Sequence, residues 1–203
     1  MRLMPAAVAI AVALGAAPSA HSTVQLSTSV RHVLTSINEL PTRDDLEAAF
    51  QSQQPPVSAL VGLEAIITND AEDLGLQLRA IRSLPLFCTA SCATDQAHVL
   101  LVGVVDRYTN KVVSERTSKD TLRVRAAIEA LGVTKIPNDL NLLKGFLENS
   151  SRDIRTTTVH ALRNLCNADA IPPLRARYQH EPVPQVSLAI SAALRDLTTC
   201  SGS

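Results

Sequence analysis

Four nine-residue segments recur along the chain: 76–84 (LQLRAIRSL), 123–131 (RVRAAIEAL), 154–162 (IRTTTVHAL) and 186–194 (VSLAISAAL). Each closes on a leucine, and Leu84, Leu131, Leu162 and Leu194 stand 47, 31 and 32 positions apart. Self-similarity at this period marks a stacked array of supersecondary units, and the longer first interval carries an insertion. Apolar or small residues fall at i, i+4 and i+8 in each segment, which puts them on one stripe of a helix. The second segment is a position out of step, because Val124 rather than Arg123 is its first apolar residue. One helix pair cannot bury both its faces, so copies must stack and share a core. The expected fold is all-α: an α-solenoid of stacked antiparallel helix pairs, an α-α superhelix.

Composition agrees. Aromatic residues make up 2% of the chain with no Trp, while 46% is hydrophobic and carried by Ala, Leu and Val. Small side chains such as Ala126, Ala127, Ala161, Ala192 and Ala193 permit close helix stacking. Seven Gly are few for a β-sandwich or barrel with its many tight turns. Partner helices are expected over 96–108, 139–147 and 170–178, with Pro137 and Pro172–Pro173 at helix starts, where a missing N–H is harmless. Upstream, 24–40 and 57–68 read as helices. Thr42 three residues before Asp45 reads as a capped helix start.

The run from Asp120 to Gly132 (DTLRVRAAIEALG) resembles a HEAT-repeat helix, which typically reads Asp-x-x-Val-Arg-x-x-Ala-x-x-Ala-Leu-Gly. Asp153, Arg155, Ala161 and Leu162 repeat that pattern, and Val186, Ala193 and Leu194 give a further copy with Ser187 in the Arg place. The resemblance spans about 70–197 and is to the HEAT-like, phycobilin-lyase-type repeats. It implies an armadillo-like helical scaffold, and such solenoids carry many unrelated tasks.

Residues 1–22 have the layout of a secretory signal: Arg2, an apolar run over 5–17, then small residues, with cleavage expected after Ser22. The apolar run is too short for a membrane span, and no other stretch reaches the length one needs. The expected organisation is a signal peptide at 1–22, an N-terminal helical cap at 23–69, HEAT-like repeats at 70–197 and a tail at 198–203. The expected location is outside the cytoplasm, in the periplasm or the medium. Arg2 leaves with the signal, so the remainder carries a net charge of −1. Without basic excess, neither nucleic acid nor an acidic membrane surface is an expected partner.

Four cysteines in an exported chain favour two disulfides, and four allow three connectivities. Cys88 and Cys92 flank a short turn, within reach of a local bridge. Cys166 and Cys200 follow repeat leucines at comparable distances, and can join adjacent units if the chain ends there converge. A Cys-x3-Cys pair without nearby His is poor for zinc, and thioredoxin-like chemistry prefers Cys-x2-Cys.

Phosphate-loop, dinucleotide, zincin and nucleophile-elbow motifs are all lacking. His32, His98, His160 and His180 share no spacing. His180–Glu181 is a single pair of the type that iron-binding HEAT proteins use several times, and Asp44–Asp45 reads as first-turn acids rather than catalytic carboxylates. No metal, cofactor or catalysis is therefore expected. Arginines concentrate in the last eighty residues. Arg123, Arg125, Arg152, Arg155 and Arg163 are candidate partner-binding residues, able to form a basic ridge if the units align. The competing reading pairs them internally with turn acids such as Asp120 and Asp153. The expected function is a non-catalytic scaffold that takes a protein or peptide on its concave face. The runner-up, implied by the resemblance, is an enzyme or enzyme accessory that handles a chromophore.

Overall fold

The computed structural model describes residues 26–36, 40–89 and 92–200. The signal segment at 1–22 lies outside the described residues. Among the described residues ten α-helices run in order: α1 (Thr28–Thr35), α2 (Arg43–Gln51), α3 (Ala59–Thr68), α4 (Leu74–Ser83), α5 (Gln96–Thr109), α6 (Ser118–Thr134), α7 (Leu140–Lys144), α8 (Arg152–Leu165), α9 (Ile171–His180) and α10 (Pro184–Cys200). Among the described residues there is no strand, and no helix is long and apolar enough to cross a membrane.

Hydroxyl and carboxylate caps set most helix starts. Ser27, Ser58, Asp73 and Ser151 each accept from the backbone N–H three residues on. Thr42 with Asp45 and Thr117 with Asp120 form reciprocal capping boxes. The caps set two helix starts: α1 begins at Thr28 after Ser27 and runs to Thr35, shorter than the helix expected over 24–40, and α3 begins at Ala59 after Ser58 instead of at Val57. The helix expected over 139–147 is broken into a 3-10 turn at Pro137–Asp139, the short α7, and a second 3-10 turn at Gly145–Glu148. Likewise α4 stops at Ser83 and passes into a 3-10 turn, because Pro85 has no N–H to continue the ladder.

The four repeat segments lie on α4, α6, α8 and α10, each packed on the next, with α5 against α6, α7 against α8 and α9 against α10. The molecule is thus an all-α solenoid. Helices α1 to α3 pack at the α4 end. One apolar core extends from Val30 to Leu197. Leu84, Leu131 and Leu162 are fully buried in it, whereas Leu194 is partly buried. The difference has a positional cause: α10 has no following unit among the described residues to cover it.

Stacking is closest between α6 and α8. A Cβ added at Gly132 would lie 2.6 Å from the Ala161 Cα, so the pair Gly132/Ala161 brings two backbones together. Turns within the units also repeat. Lys135 and Cys166, 31 residues apart, both adopt left-handed backbone with φ of 55° and 54°. Each is followed by an extended residue and a 3-10 turn that leads into the partner helix.

Candidate functional site

The five candidate arginines come close to acids. Arg123, on α6, has its guanidinium 3.6 Å from Asp120 and 3.5 Å from Asp70, while its Nε donates to Gln77 at 2.8 Å. Arg125 lies 3.6 Å from Asp153 of the next unit, and Arg152 lies 3.5 Å from the same carboxylate. Arg155 is nearly buried and grips Glu181 with two nitrogens at 2.7 and 2.8 Å. Arg163 pairs with Asp196 across α8 and α10. The geometry therefore joins these arginines to acids of their own or adjacent units. Arg152 keeps the most open side chain of the five, 69% exposed.

Two of the contacts are buried enough to shift acid strength. Hydrogen bonds from Arg155 outweigh burial at Glu181, helped by the Val183 N–H and Arg177, and hold its carboxyl at about 2. At Asp120 burial pushes the carboxyl up, but Lys111 at 2.8 Å and the Thr117 backbone and hydroxyl overcome it, leaving it at about 2 as well. Gln77 and Arg155 stand two residues into their own copies of the repeat, and both donate to carbonyls of the preceding turn, Gln77 to Asn69 and Arg155 to Asn149 and Ser150. Each also bonds the next unit, through Arg123 and Glu181. These are struts between units.

Glu181 is thus engaged by Arg155 and Arg177, and its neighbour His180 is exposed. Asp45 closes the capping box with Thr42, whose hydroxyl and backbone N–H lower its carboxyl, while Asp44 is exposed in the first turn. Among the described residues no cluster of three or more His, Cys, Asp or Glu has metal-binding geometry. The cysteine pairs Cys88/Cys92 and Cys166/Cys200 stand at disulfide distance, with Cα separations of 4.7 and 5.6 Å. The second pair ties the left-handed residue after α8 to the end of α10, which continues past Leu197 to Cys200.

Sequence reasoning missed two features. A groove runs between the turns of successive units, lined by Pro137, Asn138, Leu140, Asn141, Lys144, Asn167, Asp169 and Pro173. Asn141 accepts from Lys144 and Asn167 caps the Asp169 N–H through their side-chain oxygens, which leaves their amide N–H groups for other acceptors. The second is a buried polar contact: His98 Nε2 on α5 lies 2.9 Å from Asp139 Oδ1. A comparison of positions 31 apart reveals it, since Asp139 stands where the next unit has the fully buried Ala170.

Stacked helix pairs with struts between units and an open groove along their turns define a helical repeat scaffold. Residues 111–195 match the family model described as HEAT repeats, which supports a helical repeat architecture for this stretch. A search of curated proteins and a search of solved structures found no match.

Proposed function

We propose that this chain is an exported, non-catalytic scaffold that binds a protein or peptide partner, and that the groove between α7 and α9 is its contact surface. The observation that carries the reading is the lining of that groove. Side-chain amide donors from Asn138, Asn141 and Asn167 lie beside apolar Pro137, Leu140 and Pro173. Peptide carbonyls need donors of this kind, and an extended chain also offers side chains to apolar walls. HEAT repeats commonly serve protein interaction, which supports the same reading. Arg152 and Arg163 are the more open of the arginines, each beside an acid of its own chain, and neither lines the groove. Export rests on the signal-like segment 1–22 and is compatible with two cysteine pairs at bonding distance.

Native mass spectrometry and absorption of the protein recovered from the cell envelope test the reading. The expected species is the polypeptide alone or with a second polypeptide. A bound chromophore or metal overturns it.

A further inference from the structure

Acids in the stacked units are paired with one exception. From α6 to the end of α10 the chain carries eight Asp and Glu side chains. Asp120 meets Lys111 and Arg123, Glu129 meets Arg82, and Asp196 meets Arg163. Asp153 lies beside Arg125 and Arg152, Glu148 and Glu181 both meet Arg177, and Asp139 meets His98. Asp169 is the eighth, and among the described residues it has no basic partner. It is exposed, and it lines the groove between α7 and α9.

The backbone accounts for the residue type at this place without giving the carboxylate a mate. Asp169 stands in the 3-10 turn that leads into α9, and its N–H donates to the Asn167 side chain at 2.9 Å. An acid near a helix start suits the helix dipole. Lys144, the cation that lines the same groove, is turned to Asn141 on its own helix at 2.8 Å. A segment that docks in the groove covers the Asp169 carboxylate. Covering it without a cation takes a charge out of water unpaired, which is costly. A Lys or Arg on the docking segment removes that penalty, and an acid adds repulsion to it.

We infer that the groove selects a basic extended segment of the partner: Asp169 pairs with a Lys or Arg side chain, while the amides of Asn138, Asn141 and Asn167 hold the backbone carbonyls beside it. The asparagines serve any extended chain alike, because every peptide offers carbonyls. Asp169 then discriminates among segments by the sign of their charge. The inference rests on the groove reading proposed above and adds the partner's charge to it.

The test is an amide NMR titration of the exported protein, at fixed pH, with three octapeptides that repeat Ser-Arg, Ser-Gln or Ser-Glu. The Ser-Arg peptide should shift the Asn138, Asn141 and Asn167 amide signals saturably. The Ser-Gln peptide should shift the same signals with roughly tenfold weaker affinity, the scale of one charge-assisted hydrogen bond, and the Ser-Glu peptide should shift none of them. In Asp169→Asn, which keeps the Asn167 cap on the backbone N–H, the Ser-Arg peptide should fall to the Ser-Gln level. Asp169→Glu keeps the charge and should keep the preference. Equal affinity for the three peptides, or Ser-Arg affinity unchanged in Asp169→Asn, would overturn the inference and leave the groove reading standing. Groove amides that none of the three peptides moves would overturn both.

Discussion

Gly132→Ala and Gly103→Ala are the same chemical change in two helices, and the structure predicts opposite signs. At Gly132 the new Cβ would lie 2.6 Å from the Ala161 Cα and 2.9 Å from its Cβ. Ordinary contact begins near 3.4 Å, so α6 and α8 must separate by roughly 0.8 Å or bend. A backbone cannot rotate out of the way as a side chain can. Overpacking of this kind costs about 1–3 kcal/mol, and the rigid neighbour places this site at the upper end. Replacing Gly by Ala inside a helix returns about 1 kcal/mol, so the net loss is about 2 kcal/mol, or roughly 4–8 °C in a chain of this size. At Gly103, on α5, an added Cβ meets nothing within 4 Å. Only the helix gain remains there, about 1 kcal/mol of added stability. Thermal and urea unfolding of the two variants beside the wild type measure both. Equal effects of one sign would refute the close approach of α6 and α8, and with it the repeat register that pairs Gly132 with Ala161.

Leu162→Ala should cost about 2–5 kcal/mol, because the side chain is fully buried between units. Leu194→Ala, at the partly covered end, should cost less in the same denaturation series. Glu181 and Asp120 both hold their carboxyls at about 2, below ordinary values of 4.5 and 3.8. Depressed values stabilise the fold above the unfolded-chain pKa, and that contribution is lost as pH falls from about 4.5 to about 2. Unfolding measured across that window should therefore steepen toward acid, and Glu181→Gln should flatten the slope while lowering stability at neutral pH by about 3 kcal/mol, since Arg155 stays buried without its carboxylate. Non-reducing peptide mapping of the exported protein should recover Cys88–Cys92 and Cys166–Cys200. In the chain-entropy account the longer loop contributes about 4 kcal/mol and the shorter about 2; four reactive thiols on native protein would contradict both.

The repeat core was legible because its signals are local and periodic. The spacing of Leu131, Leu162 and Leu194, the cap at Thr42, and the alanines on the stacking face all follow from helical geometry read from the sequence. Acids near the arginines were legible in kind: Asp120 and Asp153 do lie beside Arg123 and Arg125. The choice of Glu181 by Arg155 was not, because the two are 26 residues apart and meet only once the end of α9 is placed. His98 and Asp139 are 41 residues apart and lie in different units. That pair carries no period of its own, and only the mismatch of Asp139 with Ala170 discloses it. The groove is likewise a product of stacking, since Asn138 and Asn167 share a surface only when successive turns align.

Partner contact at that groove is the central claim, and site-specific photo-crosslinking in the producing cell measures it most directly. A photoreactive residue at Asn141 should give one discrete adduct with another polypeptide, weakened when Asn138 and Asn167 are both replaced by Ala. The same probe at Gly103, on exposed α5 surface away from the groove, should give none. An adduct at Gly103 equal to that at Asn141, or no adduct at Asn141 in protein shown to be folded and exported, would contradict the account.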